Sequence, residues 1–315
     1  MEYGHIDKHK MRERLQALRL EAAPYSKMGK VATYIPELGK SDPTQLIVSV
    51  TFPDGETISA GDGKKKLTLQ SISKIFTLML ALEDLGPDEV FSKVGMEPTG
   101  DPFNSIIKLE TIKPHKPLNP MINAGAIVVS SMIKGANIEE QEHRLTTLLQ
   151  KLTGSTSITV NQEVYQSELF TADRNRALAY FMRDSGVFKG NVDEILDFYF
   201  RHCAMELSTE EISRAAAVLA CDGRDLLTGE QIVSKHIARI CKTFMITCGM
   251  YNASGEFAIS AGFPAKSGVS GGIMASVPNK LGIGVYGPAL DDKGNSIAGV
   301  KLLEGLSMEF DLSIF

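Results

Sequence analysis

The sequence has little that would tie it to a membrane, a metal or a nucleotide. No apolar run reaches the ~20 residues that cross a bilayer. The opening MEYGHIDKHK is polar and charged and lacks the hydrophobic stretch of a signal peptide. These features predict a cytoplasmic protein with no membrane partner. The four cysteines, Cys203, Cys221, Cys241 and Cys248, form no CxxC pair and fall in stretches that read as helix. Buried thiols in a reducing compartment account for them better than disulfides or metal ligation. The six histidines show no HExxH or comparable spacing, and no glycine-rich loop of the P-loop or dinucleotide type occurs. No metal and no organic cofactor is expected. Net charge is −5, and Lys64, Lys65 and Lys66 form the only tight basic run. Such a run is usually a solvated turn, so nucleic acid is not an expected partner. Internal repeats, low-complexity tracts and flexible linkers are missing as well.

What remains is ordinary globular composition, 43% hydrophobic and 23% charged over 315 residues. That length buries a large core without staples and allows one large domain or two modest ones. Residues 5–21 read as an amphipathic helix, with apolar positions at Met11, Leu15, Leu18 and Leu20. Gly29–Leu38 reads as a loop with a short helical turn. Gln45–Phe52 and Glu56–Ala60 flank Pro53-Asp54-Gly55, a strand–turn–strand pattern. After a turn at Gly61-Asp62-Gly63 and a short Leu67-Thr68-Leu69 segment, the period becomes helical from Ser71 to Leu85 and stops at Gly86-Pro87.

The middle of the chain reads as helices over Asn123–Lys134, Glu139–Leu152, a stretch capped by Asp173, Asp193–Met205, and Ser208 to about Cys221. In the last of these Ser208 and Glu211 make a capping box. Another helix spans Gln231–Cys248. Strands return at Glu256–Gly262, Gly271–Val277 and Leu281–Tyr286, with links short enough for antiparallel pairing. A final helix near Val300–Leu306 follows. Strands at both ends with helices between predict an α/β (α+β) fold: one antiparallel sheet built from both chain ends, flanked by helices, with an inserted helical subdomain. The expected boundaries put the sheet in about 1–74 and 228–315 and the helices in about 75–227, within one domain spanning 1–315.

Ser71-Ile72-Ser73-Lys74 is an SxxK element. Positions i and i+3 share a helix face, so hydroxyl and amine can meet, and a partly desolvated lysine can serve as base for the serine. The pattern alone is weak, because Ser105/Lys108 and Ser131/Lys134 also match it. Only Ser71 stands at a strand-to-helix junction, where a helix N-terminus stabilises developing negative charge. A plain N-cap is the competing account. Lys266-Ser267-Gly268, ahead of a glycine-rich strand, supplies the second element of the serine β-lactamase and penicillin-binding group, although by itself it reads equally well as a surface turn.

Longer segments carry a more specific resemblance. Gly29–Leu38, Leu69–Phe76, Asn119–Ala126, Tyr165–Glu168 with Asp173–Asn175, Asp197–Tyr199, Cys248–Tyr251 and Pro264–Gly272 run in order over most of the chain. Together they make the sequence similar to the bacterial serine-dependent glutaminases, whose fold is related to that of the β-lactamases. The resemblance implies hydrolysis of L-glutamine to L-glutamate and ammonia through an acyl-serine intermediate. It implies Ser71 as nucleophile, Lys74 as base or proton shuttle, and Tyr251 as a hydroxyl that contacts the serine and helps move protons to the leaving ammonia. The backbone N–H groups of Ser71 and Val269 would form the oxyanion hole. Tyr34, Gln70, Asn123, Glu168, Asn175 and Tyr199 match the substrate-binding set, and a homodimer or homotetramer is implied. Glu168 suits an α-ammonium, and the asparagines and tyrosines suit an α-carboxylate. Singly, each has a plainer role as a cap, a solvated charge or a core aromatic. Two other functions compete: another serine acyl hydrolase of this fold, such as an esterase or β-lactam-interacting enzyme, and a non-catalytic amino-acid-binding module. The first has no need of Glu168 and the asparagines. The second predicts loss of Ser71, Lys74 or Tyr251.

Overall fold

Local signals become elements in chain order in the structure, a computed structural model that describes residues 6–315. Asp7 caps α1 (Lys8–Ala22) by accepting from the N–H groups of His9 and Lys10, and Met11, Leu15 and Leu18 form its buried stripe. The N-terminal part of the expected helix, His5, lies outside the described residues. The Pro53-Asp54-Gly55 turn, with Gly55 at φ 85°, joins β1 (Ile47–Thr51) to β2 (Thr57–Ala60). After β3 (Lys66–Thr68), a tight turn over Gln70–Ile72 leads into α2 (Ser73–Lys93). The expected stop at Gly86-Pro87 is a kink, with Gly86 at φ 79°, and helix resumes beyond it. Next come α3 (Ile107–Thr111), α4 (Asn123–Met132) and α5 (Ile138–Thr153), the last ended by Gly154 in the left-handed conformation. Then follow β4 (Thr159–Val160), α6 (Gln162–Phe170), α7 (Asp173–Asp184), α8 (Val192–Cys203), β5 (Met205–Ser208) and α9 (Thr209–Ala220), with both halves of the Ser208–Glu211 capping box formed. The last elements are α10 (Lys235–Cys248), α11 (Ser254–Ser260), β6 (Ala265–Ser267), β7 (Gly272–Val277), β8 (Leu281–Tyr286) and α12 (Ile297–Phe310).

The two ends of the chain meet in one antiparallel sheet of order β2-β1-β8-β7-β6. Val48 pairs with Ala60 on one side and Val285 on the other. Alternation along the strands separates two cores. Val48, Val50, Ile283 and Val285 pack with Met11, Leu15, Leu302 and Leu306 of α1 and α12. Ser49 and Thr51 point the other way, to Thr209 and Ser213 of α9. Only glycine lets α9 come so close: a β-carbon on Gly282 would lie 2.1 Å from the Ala217 nitrogen, and one on Gly284 2.2 Å from the Thr209 carbonyl. A larger core joins α2, α4, α5, α7, α8 and α10. The sheet from both ends, with helices between, is the expected architecture.

Three local expectations are corrected. Glu256–Gly262 is not a strand; most of it lies in α11. Phe257, Ile259 and Ala261 read as period two, but Phe257 and Ala261 are buried while Ile259 is 90% exposed, as one helical face requires. Met205 leaves α8 to begin β5, which pairs with β3 and β4 in a second, three-stranded sheet that the sequence does not suggest. Here tertiary pairing of Leu207 with Leu67 outweighs the helical pattern. Asp173 does not cap α7; it lies within the first turn with its side chain in solvent. Separately, α9 packs on the large sheet.

Candidate active site

The turn between β3 and α2 presents Ser71 where the two cores meet. Its predecessor Gln70 adopts φ 47°, and Tyr251 across the site adopts φ 50°. Left-handed backbone is uncommon away from glycine and concentrates where surrounding structure holds it. Lys74 follows Ser71 by three residues at the start of α2 and is 1% exposed. Its Nζ donates to Asn123 Oδ1 at 2.8 Å and to the Met121 carbonyl at 3.2 Å. Burial lowers its pKa to about 8, with Cys203 and Glu168 opposing. Asn123 passes the contact on, its Nδ2 lying 3.0 Å from Asn175 Oδ1.

Glu168, in α6, is 7% exposed. Burial pushes its carboxyl up to about 8, against the pull of the Lys74 charge and the Gln70 side chain. Among the described residues, Glu168 Oε2, Gln70 Nε2 and Tyr251 Oη are buried without a hydrogen-bond partner. Burial also raises the Tyr251 phenol, although the hydroxyls of Ser71 and Ser267 facing it favour its ionised form. The Tyr199 phenol is raised by burial and by Cys203, Glu168 and Tyr34. Tyr34 is 54% exposed as a residue. Its phenol is nevertheless raised by desolvation and by Tyr251 and Glu168. The turn after β6 closes the site: a β-carbon on Gly268 would lie 2.6 Å from the Leu69 carbonyl and 3.4 Å from the Ser71 nitrogen. Val269, the next residue, lines an open cleft of about 540 Å³ with Tyr34, Phe103, Asp291 and Gly294. All ten residues named from the sequence thus fall in one region. Ser105/Lys108 and Ser131/Lys134 do not join it; Ser131 Oγ bonds back to Val128 within α4.

Three features escape the sequence reading. Lys266 is fully buried and lies 4.5 Å above the Tyr251 ring, held by the carbonyls of Gly249 and Ser267. Burial and the Lys74 charge push its pKa well down. The KSG motif flags this lysine without assigning it a role. Ser267 Oγ bonds Asn295 Oδ1 at 2.7 Å, and Phe103 packs on Tyr251 with ring centroids 5.0 Å apart. Nothing in their local sequence marks Asn295 or Phe103. Among the described residues, no group of three or more His, Cys, Asp or Glu side chains could hold a metal ion.

Known proteins resemble this chain in sequence and fold. A family model described as Glutaminase matches residues 29–315. A glutaminase of Geobacillus thermodenitrificans is 57% identical over 295 residues, covering 94% of this chain and 96% of that protein. Glutaminase 2 of Bacillus subtilis is 54% identical over 303 residues, covering 96% and 98%. A solved Bacillus subtilis glutaminase in covalent complex with 5-oxo-L-norleucine, formed by reaction with 6-diazo-5-oxo-L-norleucine, superposes with a TM-score of 0.89. It is 40% identical and covers 96% of this chain and 99% of that one. The fold is accordingly the β-lactamase-like one, and with matches across nearly its whole length the chain belongs to the glutaminase family.

Proposed function

We propose that this protein hydrolyses L-glutamine to L-glutamate and ammonia through an acyl-serine intermediate on Ser71. The observation that carries the reading is that Ser71 and Lys74 are both buried at a helix start, near Glu168, whose buried Oε2 has no partner among the described residues. Ser71 Oγ attacks the side-chain amide carbon and gives its proton to Lys74, whose lowered pKa leaves a useful fraction neutral near pH 8. Tyr251 has its pKa raised, so it serves as a proton carrier to the leaving nitrogen rather than as the first base. The N–H groups of Ser71 and Val269 stabilise the oxyanion. Breaking the C–N bond releases ammonia, and water then cleaves the ester, returning the proton to Ser71. Glu168 takes the substrate ammonium, which replaces the water it has lost. Asn123, Asn175, Tyr34 and Tyr199 donate to the α-carboxylate, and Gln70 orients the substrate beside the serine.

Ser71→Ala should lower turnover at least ~10³-fold while the fold survives. Treatment with 6-diazo-5-oxo-L-norleucine should add mass to the peptide carrying Ser71 in the wild type and not in the variant. Near-normal turnover in folded Ser71→Ala, or an adduct elsewhere, ends the acyl-serine reading. Ammonia release from asparagine and cleavage of nitrocefin should both be far below that from glutamine.

The same reading covers the finer organisation. The chain acts as one catalytic domain in which the sheet carries the KSG turn and the helices carry the substrate contacts. It works as a homodimer or homotetramer: Phe170, Ile259 and Met308 are almost fully exposed, as residues covered by another copy would be. A monomer mass by light scattering overturns this. The four buried cysteine thiols fit a reducing cytoplasm, which cell fractionation tests.

A further inference from the structure

The turn that carries Ser71 is held from behind by a buried chain of hydrogen bonds. The Gln70 carbonyl accepts from Ser73 Oγ at 2.6 Å. Ser73 Oγ also lies 2.8 Å from His202 Nδ1. On the far side of the ring, His202 Nε2 lies 3.1 Å from Ser130 Oγ, which is 2.8 Å from the Ala126 carbonyl. His202 is fully buried. Its ring meets Tyr199 and Phe198 edge-to-face at centroid distances of 5.2 and 5.5 Å, so its plane is fixed. Burial, with the nearby Lys74 charge, lowers its pKa to about 3. The ring is therefore neutral near pH 7 and has one N–H to give.

Counting protons sets the direction of the chain. Each serine has one hydroxyl proton. With the ring proton on Nδ1, His202 donates to Ser73, Ser73 donates to the Gln70 carbonyl, and Ser130 donates to Nε2. The contacts of 2.8, 2.6 and 3.1 Å are then all hydrogen bonds. Only the hydroxyl bond from Ser130 to Ala126 is given up, and that carbonyl lies inside α4, where the helical ladder supplies a donor. With the proton on Nε2, Ser73 has one proton for two acceptors, so either the 2.6 Å contact to the Gln70 carbonyl or the 2.8 Å contact to the buried Nδ1 holds no hydrogen.

The Gln70 carbonyl and the Ser71 N–H belong to the same planar trans peptide, so they point in opposite directions. A donor that fixes the carbonyl from behind also aims the N–H into the site, and a bond accepted by the carbonyl polarises the N–H of the same unit. We propose that His202, acting through Ser73 and the Gln70 carbonyl, is a positioning residue that aims and strengthens the Ser71 N–H as an oxyanion donor. This rests on the reading of that N–H as part of the oxyanion hole. An oxyanion donor acts on the transition state more than on bound substrate, so the effect belongs in kcat.

Removing a whole oxyanion donor lowers kcat ~10²–10³-fold, and losing its aim should lower it by roughly 10- to 100-fold with KM within about 2-fold. That is the expected outcome for Ser73→Ala and, to a lesser degree, His202→Leu. His202→Asn, whose amide N–H can stand where Nδ1–H stood, should recover most of the loss. Thermal melts separate this from a packing role, which lowers Tm in all three variants and leaves kcat of the folded protein intact. Unchanged kcat in folded Ser73→Ala overturns the proposal. Nitrogen NMR of wild-type His202 should find the proton on Nδ1; a proton on Nε2 overturns it even if no variant folds. Activity in folded Ser71→Ala would instead remove the acyl-serine reading, leaving the tautomer result to stand by itself.

Discussion

Two buried polar clusters in this molecule are built on opposite rules. Between β1 and α9, every hydroxyl finds a partner within the fold. Ser49 bonds Ser59 and Thr209 at 2.9 and 2.8 Å, and Thr51 bonds Thr57 and Ser213 at 2.8 and 2.7 Å. At its exposed edge Ser59 Oγ also donates to the Glu210 carboxylate at 3.1 Å, and the close approach over Gly282 and Gly284 leaves no room for a ligand. Around Ser71, by contrast, three polar atoms from Gln70, Glu168 and Tyr251 are unpaired among the described residues, and the ionisable groups beside them are displaced from their ordinary pKa values. A buried polar group without a partner costs stability. The hydroxyl ladder fastens a helix to a sheet; the site leaves its pairing for another molecule to complete. An unpaired atom alone marks nothing, since Thr68 Oγ1, Ser276 Oγ and one Asp101 oxygen are also unpaired. Convergence of three such atoms with displaced charges distinguishes the site.

The sharpest way to break this comparison is Glu168→Gln. Truncating one member of a buried charge pair costs ~2–5 kcal/mol, because the other charge is stranded. The value of kcat/KM for glutamine should fall roughly 30- to 5000-fold. A substrate whose α-amine is acylated, if it turns over, should be affected far less. Near-normal kcat/KM for glutamine in the folded variant removes Glu168 from the site and weakens the case that the pocket was built for a free amino acid. The matching change in the ladder is Ser213→Ala. It should destabilise the fold by ~1–3 kcal/mol in denaturant unfolding and leave kcat and KM as they are. A kinetic effect there without a stability effect would erase the distinction between the clusters.

Some elements of the fold and of the candidate site are legible in the sequence and others are not. Ser71 and Lys74 are legible only in context, since the same spacing recurs at Ser105/Lys108 and Ser131/Lys134 and Ser71 alone stands where a strand turns into a helix; Lys266-Ser267-Gly268 is legible as the motif that accompanies SxxK. The strand–turn–strand at Pro53-Asp54-Gly55 is legible because only certain residues make that turn. β5 is not legible: Met205-Glu-Leu-Ser208 falls between the expected end of one helix and the cap of the next, and only the edge offered by β3, far away in the chain, makes it a strand. α11 is misread because seven residues fit two periods and burial alone chooses between them. His202 carries no signal, because its role depends on Ser73 and Ser130, which lie 129 and 72 residues away. The unpaired state of Glu168 is a property of three-dimensional burial and has no counterpart in sequence.

The smallest expected effect tests the same contrast without substrate. In the ligand-free protein, burial raises Glu168 from an ordinary 4.5 to about 8. Between those values the folded state keeps a proton that the unfolded chain has released. Its contribution to stability is complete below about pH 4.5 and is lost as pH rises through about 8. Lys74 has the opposite sense, since burial lowers it from 10.5 to about 8. From about pH 8 to 10.5 the unfolded chain binds the extra proton, so this lysine makes stability rise with pH. The two together place a minimum near pH 8. Glu168→Gln removes the acidic arm. The Tm of this variant should therefore gain on that of the wild type as pH climbs from about 5 to about 8, while Ser213→Ala, which changes no titrating group, should run parallel to the wild type. L-Glutamate should reverse the order at pH 8, because its ammonium supplies the missing partner only where a carboxylate waits for it. A difference between Glu168→Gln and wild type that is flat with pH would mean that the carboxyl is neither desolvated nor unpaired, and the contrast between the two clusters would then rest on the hydroxyls alone.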